Sequence, residues 1–139
     1  MPELATTYSS VLTAWVVMAL MYTVQAIVAD LTAVRVKHTP GIAVASGHDD
    51  PLFRTARAQA NTNENLPMFI LITTAAMLLG HSVTMTVICT WVFIAGRAIH
   101  MVSYYADLRP LRSTGFVVGF VSMTVLAVSL AIDVFGLGR

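Results

Sequence analysis

Arg54-Thr55-Ala56-Arg57-Ala58-Gln59-Ala60-Asn61-Thr62-Asn63-Glu64-Asn65-Leu66-Pro67 runs straight into an apolar stretch from Met68 to Leu79. Arg57, Asn61 and Glu64 stand at i, i+4 and i+7. At about 100° per residue they share one helix face, and Arg54 extends the stripe. Outward from this segment, charge disappears over long tracts. No Asp, Glu, Lys or Arg lies between Glu3 and Asp30, between Glu64 and Arg97, or between Arg112 and Asp133. A membrane helix needs about 20 mostly apolar residues. The first and last tracts each hold one span. The middle tract is too long for one and breaks at Gly80-His81-Ser82, a polar turn signal. The reading is an all-α integral membrane protein: one domain over residues 1–139, a bundle of four transmembrane helices near 8–35, 52–79, 83–106 and 110–135.

Composition agrees. Of 139 residues 57% are hydrophobic and 11% charged, against roughly 25% charged in an ordinary soluble domain. This excludes a disordered chain. Eight Lys/Arg against seven Asp/Glu leave a net charge of +1, which argues against nucleic-acid binding. The single cysteine, Cys89, excludes an intramolecular disulfide framework and a multi-thiolate metal site. His38, His48 and His81 show no ligand spacing, so no metal is expected. The N-terminus lacks a basic n-region and its apolar run is too long for a cleavable signal, so it is retained as the first helix.

Arg35, Lys37, Arg54 and Arg57 flank the first loop, and Arg109 and Arg112 flank the third. Only Arg139 falls on the other side. The positive-inside bias therefore places the basic loops in the cytoplasm and both termini opposite.

The third helix carries its own polar stripe, Arg97, His100 and Tyr104 at i, i+3 and i+7. Charges inside a membrane helix are costly, so two such stripes face each other or a polar cavity. Two readings stand at this point. In one the stripes are structural, with Arg57 or Arg97 pairing with Glu64 between helices. In the other the excess of Arg over Glu64 forms a site for a carboxylate-bearing ligand. Leu108-Arg109-Pro110-Leu111-Arg112-Ser113 opens the fourth helix with Pro near its first position. Arg112 and Ser113 fall in the first turn, where an anion such as a thiolate is favoured. A solvated basic loop is the alternative. Gly115 and Gly119 are a small-xxx-small pair that signals helix packing. Pro67 would favour a kink.

These blocks resemble the MAPEG family, the membrane-associated proteins of eicosanoid and glutathione metabolism. Arg54 to Glu64 is similar to the family's R-x-x-R-A-x-x-N-x-x-E signature. Gly96-Arg97-Ala98-Ile99-His100-Met101-Val102-Ser103-Tyr104 with Leu108 to Ser113 resembles the prostaglandin E synthase and microsomal glutathione transferase branch. The resemblance implies a homotrimer that binds glutathione between subunits near the cytoplasmic face. It implies that Arg57, Asn61 and Glu64 bind it from helix two, and Arg97, His100 and Tyr104 from helix three. Arg112 would stabilise the thiolate beside Ser113, and Arg35 would add a further contact. The expected activity is a glutathione-dependent transferase or peroxidase acting on hydrophobic electrophiles or lipid hydroperoxides. A non-catalytic protein of the same fold, binding a lipid or a partner, is the alternative. A small transporter fits poorly, because both stripes lie toward one side.

There are departures from the pattern. Ala60 and Gln59 stand where the prostaglandin synthase has Arg and His. The Arg109-to-Arg112 segment is one residue shorter, and Phe116 replaces a Tyr. Prostaglandin synthesis is accordingly not implied.

Overall fold

The computed structural model describes residues 2–44 and 47–136. Arg139 lies outside them. The described chain is all helix and turn: α1 (Pro2–Thr7), α2 (Ser9–Arg35), α3 (Pro51–Leu78), α4 (Val83–Tyr105) and α5 (Arg109–Phe135). The short α1 is an addition to the sequence reading, which began its first helix near residue 8. Tyr8 separates α1 from α2, yet its N–H still bonds the Leu4 carbonyl at 3.0 Å.

Local chemistry sets the boundaries. Asp50 caps α3, its carboxylate accepting from the Leu52 N–H at 2.8 Å, with Pro51 at the first position. The helix then continues through Pro67 to Leu78. At the end of α4, Asp107 adopts φ 54° and the Leu108 N–H bonds back to the Ser103 carbonyl at 2.8 Å. This left-handed turn satisfies the last carbonyls. It reverses the chain within three residues, so α5 starts beside the end of α4.

Among the described residues, three helices are long and apolar enough to cross a membrane: Ser9–Arg35, Val83–Tyr105 and Arg109–Phe135. The sequence reading had four. At 28 residues α3 is long enough, but its first half, Arg54 to Asn65, is too polar to qualify. The outward faces of the bundle are apolar, with Leu20, Leu71, Val128 and Phe135 all exposed. Exposed apolar surface on this scale belongs in lipid.

Inside, Ala14, Met18, Phe69, Phe93, Met123 and Leu126 form the core. Phe69 of α3 stacks on Phe93 of α4 with centroids 4.9 Å apart. Cys89 is buried in this layer. Polar groups there are paired across helices. Trp15 Nε1 donates to Thr73 Oγ1 at 3.0 Å, and Trp91 Nε1 to Ser10 Oγ at 2.9 Å.

The closest helix contact is between α4 and α5, and glycine makes it. A Cβ on Gly96 would lie 2.7 Å from the Gly115 oxygen and 2.7 Å from the Gly119 nitrogen. A Cβ on Gly115 would lie 2.7 Å from the His100 nitrogen. The backbones touch where no side chain fits, so the small-xxx-small pair is spent on α4 through Gly96.

The end of the bundle away from the long loop is stapled by His81. Its carbonyl accepts from the Tyr8 hydroxyl, and its Nδ1 lies 2.6 Å from Asp133 Oδ2. Its Nε2 lies 3.2 Å from Ser129 Oγ. One residue thus ties the start of α2 and the end of α5 to the α3–α4 turn. The adjacent cavity is lined by Leu79, Gly80, His81, Ser82, Leu130, Asp133 and Val134.

Candidate functional site

At the loop end, the first turn of α5 faces the last two turns of α4. The Gly96/Gly115 contact brings these backbones close enough for His100 to reach across. Its Nδ1 is 2.9 Å from the Arg112 carbonyl. A carbonyl only accepts, so Nδ1 carries the proton and a neutral ring leaves Nε2 as a bare acceptor. That Nε2 is buried and has no partner among the described residues.

Arg112 is held on three sides. His100 grips its backbone. Its guanidinium lies 4.6 Å above the Tyr104 ring, a cation–π contact. Its Nη1 is 3.0 Å from His48 Nδ1, on the long loop. Arg112 also lines a cavity of about 290 Å3. Asn61, His100, Tyr104, Ser113, Phe116 and Val117 complete its wall.

Five of the nine residues expected at a ligand site therefore meet: Asn61, His100, Tyr104, Arg112 and Ser113. Arg97 lies behind them, 1% exposed, with Nη1 2.6 Å from Asn61 Oδ1. Its Nε and Nη2 have no partner among the described residues, and its guanidinium faces the Phe93 and Phe116 rings at 5.9 and 5.4 Å. Arg35, Arg57 and Glu64 lie outside the cavity wall of the single chain.

The interhelical Arg–Glu pair of the structural reading does not form among the described residues. Glu64 bonds Arg57 of its own helix at 2.9 Å, on a half-exposed surface. Arg97 is paired instead with the Asn61 amide. Two turns of helix bring Glu64 within reach of the long Arg57 side chain, whereas burial keeps Arg97 on the inner face.

The sequence reading did not place His48, Phe116 or Val117 in the site. His48 lacks metal-ligand spacing. The available signal was its place two residues before the Asp50-Pro51 helix start, which folds the loop back over α3. Arg54 secures that fold, its Nη1 donating to the His48 carbonyl at 2.7 Å. The His48 ring packs edge-on against Phe53 at 5.1 Å.

Apolar outer helices around a bundle with a cavity at one end, lined by Asn61, His100 and Arg112 among others, define a multi-pass integral membrane protein. The chain belongs to the MAPEG family, whose profile matches residues 6–132. Members of this family generally use glutathione, and they include glutathione-dependent transferases and non-catalytic proteins. A comparison with curated proteins found no significant match.

Proposed function

We propose that this protein is a glutathione-dependent membrane transferase or peroxidase acting on hydrophobic electrophiles or lipid hydroperoxides. The observation that carries the reading is the grip on Arg112. A guanidinium fixed by Tyr104, His48 and the His100–backbone bond stands at the start of a helix, beside Ser113, on a cavity wall. A preorganised cation with the helix N-terminus behind it lowers the pKa of a thiol.

The donor set suits a tripeptide thiol with two carboxylates. Arg112 and the buried, incompletely bonded Arg97 offer cationic N–H groups, and the bare His100 Nε2 offers an acceptor. Asn61 links Arg97 to the cavity. Bound glutathione supplies the nucleophilic sulfur. Arg112 and Ser113 hold the negative charge at that end, while Phe116 and Val117 give the wall an apolar side for the second reactant.

In this proposal α3 crosses the membrane with its polar stripe turned inward, completing a four-span bundle. The protein works as a homotrimer, and Arg35, Arg57 and Glu64 join the site at the subunit boundary. All three are exposed or half-exposed in the single chain, which supports that placement. The basic loops and the site face the cytoplasm, and the termini lie opposite.

Arg112→Ala is expected to lower conjugating and peroxidase kcat/KM by about 100-fold, the scale of losing one preorganised donor. Retention of full activity would refute the role of Arg112. A second reading draws on the Arg57–Glu64 and Arg97–Asn61 pairs, which already satisfy much of both stripes. There the fold is non-catalytic and binds a lipid or a partner. Thermal stability separates the two, since a native-state ligand must raise it by mass action. A folded protein unmoved by glutathione, its oxidised form and an S-alkyl analogue would favour the second reading.

A further inference from the structure

His48 reaches Arg112 from a different element, and its contact has a chemical requirement. Arg112 Nη1 can only donate, so His48 Nδ1, 3.0 Å away, must be unprotonated. The neutral ring then carries its proton on Nε2. Protonating Nδ1 would remove the acceptor and set two cations against each other. We propose that His48 is a positioning residue whose neutral form holds the Arg112 guanidinium against Tyr104, so that its protonation releases Arg112 from the thiol end of the site.

The surroundings fix His48 in place from three elements. From α3, Arg54 donates to its carbonyl at 2.7 Å and, more weakly, to that of Asp49 at 3.4 Å. Phe53 packs on its ring. From α4, the Tyr104 ring lies 6.1 Å away. From α5 comes Arg112, and Arg109 stands 3.7 Å from the neighbouring Asp49 carboxylate. Asp50 adjoins in the chain and is committed to capping α3. Arg112 and Arg54 would both stand against a charged imidazole, while Asp49 is drawn to Arg109 and is almost fully exposed.

The inference rests on the reading of Arg112 as the thiolate-stabilising group. Its test uses the purified full chain in detergent with glutathione, and it reads two quantities besides turnover. One is glutathione-dependent thermal stabilisation. The other is the ultraviolet absorbance of the bound thiolate, titrated from about pH 8 to about pH 5, where imidazoles change charge. His48→Asn places an amide oxygen near the Nδ1 position and accepts at every pH. His48→Ala accepts at none.

The expected result is that His48→Ala binds glutathione yet forms less than half the wild-type thiolate near pH 8, and that the two proteins converge toward pH 5. His48→Asn restores the thiolate and keeps it to lower pH than wild type, because nothing protonates and releases Arg112. Superimposable thiolate titrations for all three proteins, with glutathione stabilising each, would overturn the role of His48 and leave the site reading intact. No glutathione stabilisation of the wild-type protein would overturn the site reading and this inference together.

Discussion

Arg97 and Gln25 show how much a single buried polar side chain decides in an apolar bundle. Arg97 is 1% exposed, bonded once to Asn61, and has no carboxylate within salt-bridge distance among the described residues. Replacing a buried ionic group with an apolar one of similar volume is often neutral or stabilising. Arg97→Met is therefore expected to keep or raise the melting temperature of the ligand-free protein while abolishing the shift produced by glutathione. If the shift persists unchanged, Arg97 has no ligand role. Gln25 on α2 is wholly buried, and neither amide atom has a partner among the described residues. Leaving such a group unsatisfied costs about 1–3 kcal/mol. Gln25→Met is thus expected to stabilise the fold, read as a higher melting temperature. A drop would mean that Gln25 has a bonding partner in the assembled protein. Neither residue's circumstances followed from spacing. The helical face of Arg97 was readable, but its partner was not, because Asn61 and Glu64 share a stripe and only packing selects between them.

Among the elements, the α4–α5 pair governs the site. Gly96 and Gly115 let the two backbones touch, and this contact carries His100 to the Arg112 carbonyl. A methyl group at either glycine meets backbone atoms that cannot turn aside. Overpacking of this kind costs about 1–3 kcal/mol. Gly96→Ala is expected to lower the melting temperature and weaken glutathione stabilisation together, by parting α4 from α5. A stable variant with unchanged ligand response would show that the contact is not required. His81 supplies the contrasting control at the other end. His81→Ala removes the ring's contacts to Asp133 and Ser129 of α5 and leaves the backbone carbonyl that accepts from Tyr8. It is expected to lower the melting temperature but leave the glutathione-dependent increment in place, since the tie lies at the opposite end from Arg112. The turn at Gly80-His81-Ser82 was legible from residue chemistry. The role of His81 in it was not, because Tyr8, Ser129 and Asp133 are far away in sequence.

For the molecule as a whole, apolar outer faces and a polar inner seam make the fold meaningful only in a membrane. The proposed trimer predicts that detergent-solubilised protein, cross-linked through its primary amines or analysed by native mass, runs as three chains. A strictly monomeric species with full glutathione affinity would remove Arg35, Arg57 and Glu64 from the proposed intersubunit site.

Helical class and membrane character were written in the charge-free tracts, because burying a charge in lipid costs more than any local preference can offset. The two polar stripes were legible for the same reason: a 3.6-residue period is a property of the chain itself. Family membership was visible in the order of those residues. Tertiary structure alone decided that Glu64 turns to Arg57 and that Arg97 takes Asn61. It also brought His48 from a loop onto Arg112, 64 residues further along the chain. Periodicity specifies the face a side chain occupies on its own helix. Which partner meets that face depends on backbone approach distances and loop return paths, and these are settled only when the whole bundle packs.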